Sequence, residues 1–232
     1  MKNDIQILCT RPLSQAIIDV ANRKGLCTDV LPFIETAAIE TVEVQQEIEH
    51  AFLLNTTVVF TSMNAVDAVA AYLTDEQPNW QVYCTGFTTQ QLVKKYFGPQ
   101  VIVGVAENAA ALAEKIIEDA TTDEVVFFCG NQRRDEMSTM LGVAGMTVTE
   151  VVVYQTIAVP HVVKKDYDAI LFFSPSAVDS FFSVNKIKRE TLFFAIGTTT
   201  AAAIEQHNKG KIIIAAQPGK EALMQQAIEF FS

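Results

Sequence analysis

Short polar segments alternate with apolar runs along this chain, and they are the parts best suited to bind a charged ligand. They combine Ser, Thr, Asn and Gly with a few arginines. At the start of a helix such residues cap free backbone N–H groups, and the same groups also bind carboxylates or phosphates. Both interpretations stay open for each segment. The segments are Thr10-Arg11-Pro12, Thr61-Ser62-Met63-Asn64, Gly86-Phe87-Thr88-Thr89, Gly130-Asn131-Gln132-Arg133-Arg134, Ser174-Pro175-Ser176 and Gly197-Thr198-Thr199-Thr200.

Three of the arginines, Arg11, Arg133 and Arg134, stand in these segments. An arginine can hold a carboxylate through two parallel hydrogen bonds, and the alternative is a surface ion pair. The formal net charge of −10 argues against nucleic acid or an anionic membrane as a default partner, because both favour Lys and Arg. Net charge does not exclude a local site for a polyanion.

No strong catalytic or cofactor motif is present: the sequence lacks GxGxxG, GxxxxGK[ST], HExxH and GxSxG. His50, His161 and His207 are scattered, and the four cysteines show no CxxC spacing, so we expect no metal and no cofactor.

Residues 1–8 are too few and too polar for a signal peptide. No run approaches the ~18 apolar residues of a membrane span. We therefore expect a soluble, cytoplasmic protein with reduced, buried thiols.

The alternation of apolar and amphipathic segments predicts parallel sheets that are covered by helices on both faces. Strands are predicted at 5–9, 28–31, 57–61, 82–84, 101–103, 125–129, 148–154, 169–173, 193–196 and 212–215. Helices are predicted from Pro12 to about Lys24, and at 42–54, 65–73, 89–95, 109–118, 136–144, 177–183, 200–208 and 221–231. In such sheets ligands bind beyond the carboxyl ends of the strands, where the polar segments lie.

The chain also repeats itself. Phe60-Thr61-Ser62-Met63-Asn64-Ala65-Val66-Asp67 returns as Phe172-Phe173-Ser174-Pro175-Ser176-Ala177-Val178-Asp179, and Gly86 with Thr88-Thr89 returns as Gly197 with Thr199-Thr200. Matches in the same order indicate two related halves with a cleft between them. The halves are either tandem, about 1–120 and 124–232, or interleaved. In the interleaved case the chain crosses between domains in the extended stretches 32–37 and 153–160.

Taken together, these blocks resemble the uroporphyrinogen-III synthase family over nearly the whole chain. The blocks are Thr10-Arg11-Pro12, Phe60-Thr61-Ser62, Gly86 with Thr89, Gly130-Asn131 with Arg133-Arg134, Val153-Tyr154-Gln155-Thr156, Phe173-Ser174-Pro175-Ser176-Ala177-Val178 and Ala195-Ile196-Gly197-Thr198-Thr199-Thr200. The resemblance implies the interleaved layout, with two similar doubly wound α/β domains on either side of a cleft. Their expected limits are 1–33 with 164–232 for the first domain and 38–152 for the second. Residues 34–37 and 153–163 would form a two-stranded linker.

The resemblance further implies an activity without cofactor or metal: closure of the linear tetrapyrrole hydroxymethylbilane, with loss of water and inversion of the terminal ring. Tyr154 matches the linker tyrosine that is proposed to assist departure of the hydroxyl. A phenol is protonated at neutral pH, as a proton donor must be. Without enzyme, closure gives the uninverted isomer I, so much of the task is to fold the substrate correctly.

The acetate and propionate carboxylates of that substrate would be held by the polar segments. Thr89, Thr200, Ser62 and Ser174 match positions that line the binding site in the family, while Asn64 stands where some members carry Arg and Thr198 where many carry Pro. The full set of expected substrate-binding residues is Arg11, Ser62, Asn64, Thr89, Asn131, Arg133, Arg134, Ser174, Ser176, Thr199 and Thr200.

An alternative from another class is a two-domain binding or sensor protein that closes on a small polyanion without chemistry. It explains the duplication and the polar turns equally well. It does not explain why the tyrosine and the Gly-Asn…Arg-Arg block occur together. For the enzyme we expect a monomer that binds neither nucleic acid nor membrane and can receive its substrate from hydroxymethylbilane synthase.

Overall fold

The computed structural model of the protein describes residues 5–74, 76–187, 190–217 and 219–232. Residues 1–4, which begin the segment interpreted above as too polar for a signal peptide, lie outside this part. The chain divides into two compact units. Unit 1 comprises Met1–Glu35 with Ile157–Ser232, and unit 2 comprises Thr36–Thr156. The chain therefore passes from one unit to the other twice.

The strands in chain order are β1 (Ile5–Cys9), β2 (Leu26–Val30), β3 (Ile34–Ala38), β4 (Thr56–Phe60), β5 (Trp80–Thr85), β6 (Ile102–Ala106), β7 (Glu124–Gly130), β8 (Thr147–Ala158), β9 (Ala169–Phe172), β10 (Leu192–Ala195) and β11 (Ile212–Ile214). The helices are α1 (Gln15–Arg23), α2 (Val42–Leu53), α3 (Met63–Ala70), α4 (Phe87–Phe97), α5 (Ala109–Asp119), α6 (Glu136–Val143), α7 (Pro175–Val184), α8 (Thr198–His207) and α9 (Lys220–Phe231). A short 3-10 helix covers Pro99–Val101.

Unit 1 is built on a sheet with the strand order β11-β10-β9-β1-β2, in which each neighbouring pair is parallel. Both faces of the sheet are buried because successive side chains point to opposite sides. Ile7 packs with α1 and α9, while the next residue, Leu8, packs with α7 and α8. The strands are accordingly apolar throughout, as parallel strands between two helical layers require.

Unit 2 is built on a sheet with the strand order β3-β8-β7-β4-β5-β6. The pairs β8–β7, β7–β4, β4–β5 and β5–β6 are parallel. On one face Phe60 and Phe128 pack with α3 and α4, and their rings lie 5.5 Å apart. On the other face Val59 and Phe127 pack with α5 and α6. The α/β class with two parallel-sheet units that the sequence predicts is therefore confirmed.

Parallel pairing brings the polar segments together within each unit. The carboxyl ends of β1, β9 and β10 lie at one edge of the unit 1 sheet, and those of β4, β5 and β7 lie at one edge of the unit 2 sheet. Each of these strands continues into a segment that the sequence marks as polar. The expected substrate-binding residues therefore occupy one sheet edge in each unit.

Some predicted boundaries are wrong. Helix α1 begins at Gln15 rather than at Pro12, because Leu13 packs against the unit 1 core from an extended segment and Ser14 keeps extended backbone angles. Val101 belongs to the 3-10 helix and not to the strand that follows it.

Within the described residues, no helix is long and apolar enough to cross a membrane. The domain limits expected from the sequence stay a prediction.

Candidate substrate site

Two of the expected serines cap helices. The Oγ of Ser62 accepts a hydrogen bond of 3.2 Å from the backbone N–H of Asn64 at the start of α3. Its counterpart Ser174 accepts one of 3.2 Å from Ala177 at the start of α7, and Ser174 Oγ lies 3.2 Å from Ser176 Oγ. A capping hydroxyl still has its own proton to donate. Capping and carboxylate binding are therefore compatible at both serines.

Helices α4 and α8 begin differently. Their N-cap residues are Gly86 and Gly197, which offer no side-chain acceptor to the first-turn N–H groups. Thr89 and Thr200, each in the first turn, are only 6% and 2% exposed, whereas Thr199 is exposed. Within each unit, then, a serine-capped helix and a glycine-started helix follow two adjacent strands. The glycine-started ends carry N–H groups and a positive dipole suited to anions.

Tyr154 is half-buried on β8, opposite Gly130 at the end of β7. Tyr154 and Asn64 both border a cavity of about 220 Å³ in unit 2. Two residues expected from the sequence thus share one cavity. The remaining lining residues are Thr36, Ala37, Ala38, Asp67, Ala68 and Ala71.

Asn131 and Arg133 lie in the turn between β7 and α6. The Oδ1 of Asn131 accepts a hydrogen bond of 2.9 Å from the backbone N–H of Thr156. The Arg133 guanidinium forms an ion pair with Glu150, which also accepts a hydrogen bond from Ser138. Arg133 holds the pKa of Glu150 below its usual range, with help from Ser138 and against the effect of burial. Glu150 in turn raises the pKa of Arg133.

Arg134 is exposed in the same turn. In unit 1 Arg11 is exposed after β1, at the sheet edge that also carries Ser174, Ser176, Thr199 and Thr200. Unit 2 carries the other expected residues, Ser62, Asn64, Thr89, Asn131, Arg133, Arg134 and Tyr154. Their contacts with substrate stay a prediction.

The sequence does not single out Glu150 or Asn108, and it marks Gly130 as part of a polar turn without giving it a role in the site. Asn108 follows β6 and caps α5 by accepting a hydrogen bond of 3.0 Å from Ala111. The available signal for Glu150 is its charge within a strand of Val and Thr residues. For Asn108 it is an Asn directly before a helical pattern, which is the same signal that marks the other turns.

Three of the four cysteine thiols have low reactivity. Cys9, Cys84 and Cys129 are buried, and burial raises their pKa values to about 12, 11 and 12. A buried thiol of this kind acts as a small apolar side chain. Among the described residues, no three His, Cys, Asp or Glu side chains are grouped as a metal site would require.

A protein-family model described as "Uroporphyrinogen-III synthase HemD" matches residues 15–225, which is most of the chain. This chain belongs to the uroporphyrinogen-III synthase family. The family consists of lyases of porphyrin and heme biosynthesis, and its substrate is a small tetrapyrrole. The resemblance seen in the sequence is thereby confirmed.

Solved structures of family members share the fold. A mutant uroporphyrinogen III synthase from the extremely thermophilic bacterium Thermus thermophilus aligns with a TM-score of 0.67 at 13% sequence identity, over 98% of each chain. The uroporphyrinogen-III synthetase of Helicobacter pylori aligns with a TM-score of 0.69 at 18% identity, over 97% of this chain and 99% of that one. At these identities the similarity establishes the fold, and the family model establishes the family.

Proposed function

We propose that this chain converts hydroxymethylbilane to uroporphyrinogen III, with loss of water and inversion of the terminal pyrrole ring. The observation that carries the proposal is the family match over residues 15–225. The arrangement of the polar turns supports it, because the substrate is an open chain whose many carboxylates need many separate donors. No large excess of basic side chains is needed when backbone N–H groups bind the anions.

The proposed carboxylate-binding groups are of two kinds. The first-turn N–H groups of α4 and α8 bind anions directly, since Gly86 and Gly197 supply no competing acceptor. The hydroxyls of Ser62 and Ser174 donate their protons while they accept from the backbone. The other proposed contacts come from Arg11, Asn64, Thr89, Asn131, Arg133, Arg134, Ser176, Thr199 and Thr200.

Tyr154 is the proposed proton donor. Its phenol gives a proton to the hydroxymethyl oxygen as the C–O bond breaks, and water departs. The pyrrole nitrogen supplies the electron pair and releases its proton to solvent, which leaves a neutral azafulvene. The nitrogen takes a proton back from solvent once the azafulvene carbon has formed its new bond. The cavity that Tyr154 borders supports this assignment, because it offers space beside this residue for the reacting end of the substrate.

Ring inversion follows from which carbon of the far ring attacks the azafulvene. Attack by the substituted carbon forms a spiro intermediate, which fragments and recloses with the ring reversed. The proton released when the last pyrrole regains aromaticity returns to the tyrosinate. The carboxylate contacts then determine the product, because they present the substituted carbon rather than its unhindered neighbour.

The direct test is product analysis. Hydroxymethylbilane is generated in situ, the protein is added, the porphyrinogens are oxidised and the isomers are separated by chromatography. We expect isomer III to replace isomer I at catalytic protein concentration. An isomer I yield that stays unchanged even at stoichiometric protein would refute the proposal.

We further propose that the protein is a cytoplasmic monomer that takes its substrate from hydroxymethylbilane synthase. The net charge of −10 supports the monomer, because like charges keep copies apart. Light scattering at micromolar protein should give the 25.5 kDa mass of one chain. Twice that mass would contradict the monomer without affecting the proposed reaction.

A further inference from the structure

The ring of Tyr154 packs directly on the backbone of Gly130. A Cβ atom added to Gly130 would lie 2.4 Å from Cζ and 2.8 Å from Oη of Tyr154. Contacts this short do not occur with real side chains, so any larger residue at this position would displace the ring. Gly130 lies in a β-strand, whose backbone other residues also adopt. The tyrosine is therefore the reason why this position requires glycine.

Asn131 fixes the strand on which Tyr154 stands. Its backbone N–H donates a hydrogen bond of 3.1 Å to the carbonyl oxygen of Tyr154. Its side-chain Oδ1 accepts one of 2.9 Å from the N–H of Thr156. β7 ends at Gly130, and the backbone pairing between β7 and β8 ends there too. Beyond this point the Asn131 side chain supplies the next hydrogen bond to β8. One residue thus holds β8 on both sides of Gln155.

The same turn is tied to β8 at a further point. The backbone N–H of Arg133 donates 3.2 Å to the carbonyl oxygen of Gly130, and its guanidinium pairs with Glu150 on β8. The turn that carries Gly130 and Asn131 is therefore attached to the strand that carries Tyr154 at residues 150, 154 and 156. These attachments hold the backbone of β8 on both sides of Tyr154.

We propose that Gly130 and Asn131 are positioning residues that set the location of the Tyr154 hydroxyl for proton donation. The inference rests on the role given to Tyr154 under the proposed function. Proton transfer requires the donor within hydrogen-bond reach of the departing oxygen. A misplacement of about 1 Å can cost roughly 100-fold in rate. The Cβ overlap at Gly130 would force a shift of that order.

The first test compares Gly130→Ala with Gly142→Ala. Gly142 lies in α6 of the same unit, and a Cβ there meets no atom within 4 Å. We expect kcat of Gly130→Ala to fall about 10- to 100-fold while KM changes little, because carboxylate contacts are left in place. Gly142→Ala should match the wild type. A wild-type kcat for a folded Gly130→Ala variant would overturn the inference.

The second test separates positioning from substrate binding at Asn131. Asn131→Asp keeps an oxygen that accepts from Thr156, whereas Asn131→Ala removes it. If Asn131 positions β8, the Asp variant should retain most of kcat and the Ala variant should lose about tenfold. The carboxylate contact also proposed for the Asn131 amide would appear in KM, which the added negative charge of Asp should raise. A lower kcat for the Asp variant than for the Ala variant would overturn the positioning role proposed for Asn131.

A third comparison shows whether the effect passes through the phenol. In a Tyr154→Phe background, Gly130→Ala should cause no further loss of kcat, because the group it misplaces is absent. An additional loss of similar size in that background would contradict positioning. This cycle also covers the case in which Gly130→Ala alters the protein elsewhere.

An NMR measurement makes the inference testable apart from activity. The Thr156 amide should be protected from hydrogen exchange in the wild type and Asn131→Asp, and should lose protection in Asn131→Ala. The Tyr154 ring signals should shift in Gly130→Ala and stay in place in Gly142→Ala. Unchanged ring signals would overturn the inference even if the proposed function holds. Absence of isomer III with the expected NMR pattern would instead count against the proposed function.

Discussion

At the scale of single residues, Tyr154 is the side chain whose loss should affect chemistry most. Tyr154→Phe removes the hydroxyl and keeps the ring that packs on Gly130, so the fold should persist. We expect kcat to fall about 100-fold, at the lower end of what a general acid contributes, with a small change in KM. Steady-state assays with freshly generated hydroxymethylbilane measure both constants. A variant with the wild-type kcat would remove the proton-donor role from Tyr154.

Gly86 and Gly197 offer a matched pair at the same scale. Both stand at helix N-caps, and a Cβ on either meets no atom within 4 Å. Gly86 has φ 71° and ψ 159°, a combination that other residues rarely adopt, whereas Gly197 is extended with φ −176°. Gly86→Ala should therefore cost about 1–3 kcal/mol more in the free energy of unfolding than Gly197→Ala. Urea unfolding of the two variants measures this difference. Equal losses in the free energy of unfolding would show that a non-glycine residue is not strained at position 86.

The candidate site residues also show what a sequence can reveal about chemistry. The types of Ser62, Ser174 and the two glycines were enough to predict turns able to cap helices or bind anions. The amino-acid sequence does not reveal that Arg133 pairs with Glu150, because that contact depends on the register between β7 and β8. The packing of Tyr154 on Gly130 is likewise a consequence of strand register and leaves no local pattern.

At the scale of elements, β8 is held to the β7–α6 turn by the pair of Arg133 and Glu150. Their side chains are 28% and 22% exposed, so the pair is partly desolvated. The pKa of Glu150 is lower in the folded protein than in the unfolded chain. The pair therefore stabilises the fold above the ordinary glutamate pKa of about 4.3, and this contribution is lost as pH falls through the lowered value.

Glu150→Gln should accordingly reduce the free energy of unfolding by about 1–2 kcal/mol at pH 7. Its loss of stability between about pH 5 and pH 3 should be smaller than that of the wild type, since the titrating group is gone. Glu107→Gln, at an exposed position, is the control and should change little at either pH. Parallel pH profiles for the wild type and Glu150→Gln would show that the ion pair contributes nothing.

Most elements could be predicted because parallel strands and their helices leave a strong apolar pattern. The strands at 5–9 and 125–129 and the helices at 42–54 and 109–118 differ from the observed bounds by no more than one residue. The start of α1 could not be read in this way, because Leu13 contributes to the core before the helix begins. The segment 32–37 is predicted to be extended, but the position of β3 beside β8 depends on pairing between residues far apart in sequence.

At the scale of the whole molecule, the repeat in the sequence corresponds to equivalent structures in the two units. In unit 2, β4 leads to a helix capped by Ser62 and β5 leads to a helix that begins after Gly86. In unit 1, β9 and β10 lead in the same way to helices whose N-caps are Ser174 and Gly197. Corresponding strand ends in the two units therefore lead to the same type of helix start, which is the feature that an anionic substrate would use.

The net charge of −10 and the anionic substrate are compatible for the same reason. Binding by first-turn N–H groups and hydroxyls is local and does not need a basic surface. The same fold is compatible with a protein that lacks this activity, since serines at helix starts also serve simple capping. The test of the central claim must consequently detect the product itself.

That measurement is the ratio of isomer III to isomer I, followed over time as hydroxymethylbilane is consumed, with heat-denatured protein as the control. Spontaneous closure should give isomer I in the control. With native protein at a small fraction of the substrate concentration, we expect isomer III as the main product and faster loss of hydroxymethylbilane. Isomer I alone, formed at the same rate with native and denatured protein, would contradict the account.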